Sequence, residues 1–195
     1  MMSSIDKIKQ LREETGVSIT ECKKVLEEAD GDIEKAKELL RKKGKELAGK
    51  KSDRIVKTGI IDSYIHLNKK VGVILDIRCE SDFVAKSGDF QTLAHEICLQ
   101  IAAMNPLVVK EEDIPDDILK KEKEIYLTQL KELGKPKEIV DKIIEGKVEK
   151  YQKENSLMSQ AWIKDNAKTV KDLIQEYIVK LGENIIINKF SRYEI

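Results

Sequence analysis

The sequence has 195 residues with 36 basic and 36 acidic side chains, so no net charge draws it toward nucleic acid or a membrane surface. Hydrophobic residues make up 41%, charged residues 37% and aromatics only 5%, which excludes a disordered chain and points to a helix-rich protein with a modest core. No run approaches the roughly 18 apolar residues a membrane span needs.

The start, MMSSIDKIKQLREE, is charged and helical and has no apolar run that could be a signal peptide. Ile5, Ile8 and Leu11 mark one helical face, which stops at Thr15-Gly16. Ser18-Ile19-Thr20-Glu21 has the spacing of a capping box and opens a second helix with Cys22, Val25, Leu26 and Ala29 on one side. Asp30-Gly31-Asp32 supplies a stop and a new N-cap, and a third helix carries Ile33, Ala36 and Leu40 inward. Residues 1–45 therefore read as a small three-helix bundle. The run 41–54, RKKGKELAGKKSDR, holds seven basic residues, two acids and two glycines without an apparent core face. Its composition predicts a solvated linker, centred on 46–54, with phosphate binding as the rival reading.

Residues 55–195 read as an α+β core. Two strands are predicted over 55–67 and 71–79, joined at Asn68-Lys69-Lys70. The second alternates, with Val71, Val73, Leu75, Ile77 and Cys79 on one face and Gly72, Asp76 and Arg78 on the other. Phe90, Leu93, Ala94, Ile97, Ile101 and Met104 form a helical stripe that ends before Asn105-Pro106. Another helix spans 116–133, broken by Gly134-Lys135-Pro136. Pro136 starts a helix over 136–145 that Gly146 closes, and a further helical piece runs to about Glu154. Thr169-Val170-Lys171-Asp172 opens a last helix with Gly182 as its stop. The tail ENIIINKFSRYEI reads as a strand added to the hairpin, giving a small antiparallel sheet of about three strands packed with helices.

Groups suited to catalysis are few. His66 lies in a strand and His95 on a helix, neither with a nucleophile or acid at a telling spacing. Cys22, Cys79 and Cys98 are odd in number, form no CxxC pair and fall on apolar faces, so packing in a reducing compartment is expected rather than a disulfide framework or a zinc site. No phosphate-cradling glycine motif occurs. No enzyme, cofactor or metal is expected, and a cytoplasmic location fits. Ser81-Asp82-Phe83-Val84-Ala85 stands out: Ser81 can cap a helix of at most two turns before Ser87-Gly88, with Asp82 in its first turn. Local physics favours burial of Phe83, because most phenylalanines are buried.

Two blocks resemble the elongation factor Ts family. LREETGVSITECKKVLEEADGDIEKA, residues 11–36, is similar to the family's N-terminal bundle of the ubiquitin-associated type; SDFVAKSGDFQTLAHEI, residues 81–97, matches its Thr-Asp-Phe-Val signature and following helix. Gly182 to Ile185 and Arg192 agree with a pattern near the C-terminus. Ser81 replaces the usual Thr and keeps the hydroxyl. The single hairpin-and-helix unit resembles the short form rather than the duplicated core of long members.

The resemblance implies a guanine-nucleotide exchange factor for the GTPase elongation factor Tu. Asp82 and Phe83, framed by Ser81 and Val84, would push into the GTPase and disturb the Mg²⁺ that bridges its phosphates. The bundle would grip a second place through Thr20, Glu21 and Lys23. A homodimer through the sheets, giving a 2:2 complex, is also implied, with no direct nucleic acid and no membrane. The rival reading is a small RNA- or ribosome-binding adaptor working through the basic linker.

Overall fold

The computed structural model describes residues 3–131 and 136–195. Helix α1 (Ser4–Thr15) is closed at its start by a capping box between Ser3 and Asp6 and at its end by Gly16 in the left-handed region at φ 68°. Ser18 accepts from the Glu21 amide to open α2 (Ile19–Glu28), and Asp32 accepts from the Glu34 and Lys35 amides to open α3 (Ile33–Lys51). Asp30 and Gly31, both at positive φ, turn the chain between these two helices. Leu11, Val17, Cys22, Val25, Leu26, Ala29, Ala36 and Leu40 pack into a common core, as the helical spacing predicted for most of them.

The expected linker departs from the prediction. Residues 41–51 continue α3, which runs for 19 residues. Leu40, Gly44 and Ala48, four apart, are all buried on one side of it. Gly44 lies so close to α8 (Val170–Leu181) that an added Cβ would sit 3.4 Å from the Val179 side chain. A seam of small residues was hidden in a basic run, and a helix–helix contact made it a core face. Of the bases, Lys43 pairs with Glu28, Lys50 with Glu46 and Arg54 with Glu80, while Lys51 donates to the Gly182 carbonyl. These four bases of the seven are therefore engaged within the fold.

Strands β1 (Thr58–Ile65), β2 (Val71–Cys79) and β5 (Ile186–Glu194) make an antiparallel sheet in the order β1-β2-β5. The first strand is shorter at both ends than the predicted 55–67. Lys69 at φ 57° turns the hairpin, and the His66 amide bonds the Val71 carbonyl. One sheet face, through Val73, Leu75, Ile77 and Cys79, meets α5 (Gly88–Met104) through Phe90, Leu93, Ala94, Ile97, Cys98 and Ile101. Helix α8 adds Leu173, Ile174 and Ile178. It opens at Thr169 and stops at Gly182, φ 78°, as predicted, and its start is closed by a capping box between Thr169 and Asp172. Arg192 on β5 donates through Nε and Nη2 to the Ala102 carbonyl near the end of α5, at 3.3 and 3.2 Å.

Helices α6 (Asp116–Lys131) and α7 (Lys137–Asn155) share a separate small core of Leu130, Val140, Ile144 and Val148. The predicted break at Gly134-Lys135 lies outside the described residues, and Pro136 sits at the N-cap of α7. Gly146 does not close this helix. An interior glycine costs about 1 kcal/mol, yet the apolar stripe continues past it to Val148, and packing outweighs propensity. A two-stranded hairpin, β3 (Ala161–Trp162) with β4 (Asp165–Thr169), has no counterpart in the sequence prediction. Its support comes from the fully buried Gln100, which donates to Gln160 and the Ala161 carbonyl and accepts from the Ile163 amide. No described helix is long and apolar enough to cross a membrane.

Candidate functional site: an aromatic tip between two buried anchors

Strand β2 ends at Cys79, which is fully buried and directs its Sγ to the Ser81 carbonyl at 3.3 Å. Ser81, in extended backbone, caps the one-turn helix α4 (Asp82–Ala85), its Oγ accepting from the Val84 amide at 3.4 Å. Two residues later Ser87 does two tasks. Its Oγ donates to the Val84 carbonyl at 2.8 Å and accepts from the Phe90 amide at 3.2 Å, so it closes α4 and opens α5. Helix α4 thus sits between the buried Cys79 and the buried Phe90.

Helical rotation then decides which side chains face out. Ala85 is buried in the main core and Val84 packs partly against it. At about 100° per residue the turn that places Val84 and Ala85 inward must place Asp82 and Phe83 outward. Asp82 is exposed, and the Phe83 side chain is 91% exposed. The burial expected from local physics alone is therefore overturned, and the display implied by the family resemblance is what the chain adopts. Leaving a phenyl ring in water forgoes roughly 1.5–3 kcal/mol of burial. Nothing in the fold recovers that free energy, so the ring is in a position to recover it elsewhere.

The base of the tip is tied to a distant part of the chain. Glu183, in the turn after α8, accepts through Oε2 from the Glu80 and Ser81 amides at 3.0 and 2.9 Å, and its Oε1 takes the Ser81 hydroxyl. The Glu80 carboxylate answers by accepting from the Asn184 amide at 2.6 Å. The Asn184 side chain donates to the Ser52 and Arg54 carbonyls at 3.2 and 3.0 Å, at the end of α3. Residues 182–184 belong to the pattern that supported the resemblance, but beyond Gly182 as a helix stop, sequence assigned them no role. Their partners lie about a hundred residues away, beyond the reach of any spacing rule.

On the bundle, Thr20 and Lys23 are exposed on α2 on either side of the buried Cys22. Lys23 faces Glu27 at 3.9 Å, and Glu21 accepts from Lys24 at 3.1 Å. Such surface pairs are worth at most about 1 kcal/mol each and leave the side chains available. Among the described residues no hydrogen bond or ion pair joins this set to the tip; they are two separate surfaces.

Of the groups considered for catalysis, His66 and His95 flank Tyr64, each ring centroid 6.0 Å from it, and Cys98 Sγ lies 4.0 Å from Asp62. His66 Nδ1 meets the Tyr64 hydroxyl at 2.8 Å, and His95 lies 3.9 Å from Asp62 at the surface. All three cysteines are free and buried. Burial, helped by Asp62, pushes the Cys98 thiol up to about 12, and burial also raises Cys22 and Cys79. None is a thiolate at neutral pH, so all three behave as small hydrophobes. No group of three or more potential metal ligands occurs among the described residues.

A displayed aromatic tip and a separate helical bundle are surfaces suited to docking on a partner. Comparison with known proteins agrees with this reading. The family model described as elongation factor TS matches residues 5–195. Proteins named elongation factor Ts from Thermotoga petrophila and Thermotoga maritima are each 53% identical over 195 residues, covering 100% of this chain and 97% of theirs. One from Thermoanaerobacter sp. strain X514 is 49% identical over 193 residues, covering 99% of this chain and 95% of its own. The chain belongs to the elongation factor Ts family, whose role is guanine-nucleotide exchange in translation elongation.

Proposed function

We propose that this chain promotes GDP release from elongation factor Tu by inserting Asp82 and Phe83, with Ser81 and Val84 as their mount, beside the nucleotide site. The observation that carries the reading is the Phe83 ring, 91% exposed on a turn whose Val84 and Ala85 are anchored in the core. Nucleotide affinity in such GTPases rests on Mg²⁺ and the phosphate loop. A rigid aromatic that displaces neighbours of the ion removes a large share of that affinity without making or breaking a covalent bond. Coupling is reciprocal, so incoming GTP weakens the hold of the factor and releases it. The work is done in the cytoplasm and requires no cofactor of the chain's own. The test is release of fluorescent GDP from elongation factor Tu on mixing with wild-type and Phe83→Ala protein.

Thr20, Glu21 and Lys23 supply a second contact through the bundle. The exposure of Thr20 and Lys23, with half-buried Glu21 between them on the same helix, and the absence of a described hydrogen bond or ion pair joining them to the tip support two grips on one partner. Lys23→Glu is expected to raise the half-saturating concentration in the exchange assay about five-fold, with the maximal rate unchanged, as for a rim charge that is reversed. A fall in the maximal rate instead would place Lys23 in the release step.

A second copy of the chain covers the outer face of the sheet. The strand register aligns Ile65 with Gly72 and Tyr193, Ser63 with Ile74 and Ser191, and Ile61 with Asp76 and Lys189 across that face. Ile61, Ile65, Ile74 and Tyr193 are all exposed there, an apolar concentration that a monomer rarely leaves in water. A two-fold axis lets the same patch cover itself, giving a homodimer and a 2:2 complex with elongation factor Tu. Ile74→Arg, in the central strand, is expected to give monomers at micromolar concentration in light scattering. Wild-type protein that is already monomeric there would remove the dimer.

A further inference from the structure

We propose that Glu183 is a positioning residue for exchange: its carboxylate clamps Glu80-Ser81 and so sets the direction in which Asp82 and Phe83 leave the protein. The inference rests on the reading of Asp82 and Phe83 as the tip that enters the partner.

A helix of four residues cannot hold its own geometry, because helix formation needs a nucleus that so few hydrogen bonds do not repay. Something outside must orient α4. On its C-terminal side the buried Ala85 and the Ser87 hydroxyl do so. On its N-terminal side three donors converge on one carboxylate: the Glu80 amide, the Ser81 amide and the Ser81 hydroxyl. With its hydroxyl hydrogen committed to Glu183, the Ser81 oxygen turns a lone pair toward the Val84 amide, which it caps. One carboxyl side chain therefore fixes both the backbone entering the helix and the cap that starts it.

The clamp is reciprocal, since the Glu80 carboxylate holds the Asn184 amide in return. It is also braced from behind. Gly182 accepts from Lys51, and Asn184 holds the Ser52 and Arg54 carbonyls, so the turn that carries Glu183 is fixed to the end of α3. These contacts lie below the displayed ring, and Glu183 itself is only half exposed, which suits a mount rather than a contact surface.

The experiment measures fluorescent GDP release from elongation factor Tu against factor concentration, for Glu183→Ala and Glu183→Gln, each in the wild-type and Phe83→Ala backgrounds, with thermal melts of every variant. Glu183→Ala should lower the maximal release rate about ten-fold, the scale of effect that slight misplacement of an inserted group produces. The half-saturating concentration should stay within about two-fold, because the bundle contact is untouched. Glu183→Gln, which keeps the length and one acceptor, should recover part of the rate, and it carries the same comparison where Glu183→Ala melts below the assay temperature. In the Phe83→Ala background either Glu183 change should alter the rate by less than about two-fold, since a residue that acts by aiming the ring then has nothing to aim. Wild-type release by both Glu183 variants beside an impaired Phe83→Ala overturns the positioning role. So does a full ten-fold loss repeated in the Phe83→Ala background, which would mark a general loss of structure. A silent Phe83→Ala removes the tip assignment, and the positioning role with it.

Discussion

Phe83→Ala is expected to slow exchange at least about thirty-fold in its second-order rate constant, the equivalent of the roughly 2 kcal/mol that an interface hot spot carries. The melting temperature should move by no more than about 1–2 °C, because a ring that is 91% exposed contributes almost no burial to the folded state. The two readouts separate because the ring is outside the core while its mount is inside. Ser81, Val84, Ala85 and Ser87 keep their bonds and contacts when the phenyl group is removed. Stopped-flow release of fluorescent GDP and a calorimetric melt on the same sample decide the matter. Unchanged exchange would sink the tip, and a large fall in melting temperature would return Phe83 to the core.

Phe90→Ala should behave in the opposite way. Seven residues further on, Phe90 is fully buried between α5 and the sheet, and its amide is capped by Ser87. Emptying such a site costs about 3–5 kcal/mol, from lost transfer free energy and the cavity left behind. That is a large share of the roughly 5–15 kcal/mol by which domains are stable. For a chain of this length the melting temperature should fall by about 6–20 °C. Where the variant is still folded, release of GDP per folded molecule should stay within a few-fold of wild type, since the displayed ring remains. An unchanged melt would contradict the packing of α5 on the sheet.

The contrast between these two phenylalanines marks how far local sequence reached. Phe90 belongs to a stripe with Leu93, Ala94, Ile97 and Ile101, so its burial was legible from spacing. Phe83 lies in a turn too short to show a period, and composition alone pointed the wrong way. Only resemblance to a family indicated display. Caps were read reliably at Ser18, Asp32, Ser81 and Thr169, because a capping bond closes within three residues of its own side chain. Glycine was less informative: Gly16 and Gly182 end helices in the left-handed region, whereas Gly146 lies inside α7 unnoticed by the backbone.

Sequence by itself determined the α+β class, the inward face of β2, the helical bundle and the cap at Ser81, since each depends on periodicity or capping within one or two turns, whereas the tip residues Asp82 and Phe83 were indicated only by resemblance to a family. Tertiary structure decided the rest. Residues 41–51 became helix because α8, about 130 residues later in the chain, offered Val179 to the seam at Gly44. Glu183 became a clamp because that same helix ends beside Ser81. In both cases the deciding partner is remote in sequence, and a basic run or a lone glutamate has no local pattern that distinguishes a solvated side chain from one held by a distant neighbour. Direction was decided there too: the backbone of one short turn, fixed at both ends by contacts from elsewhere, turned a phenylalanine that composition would bury toward the solvent.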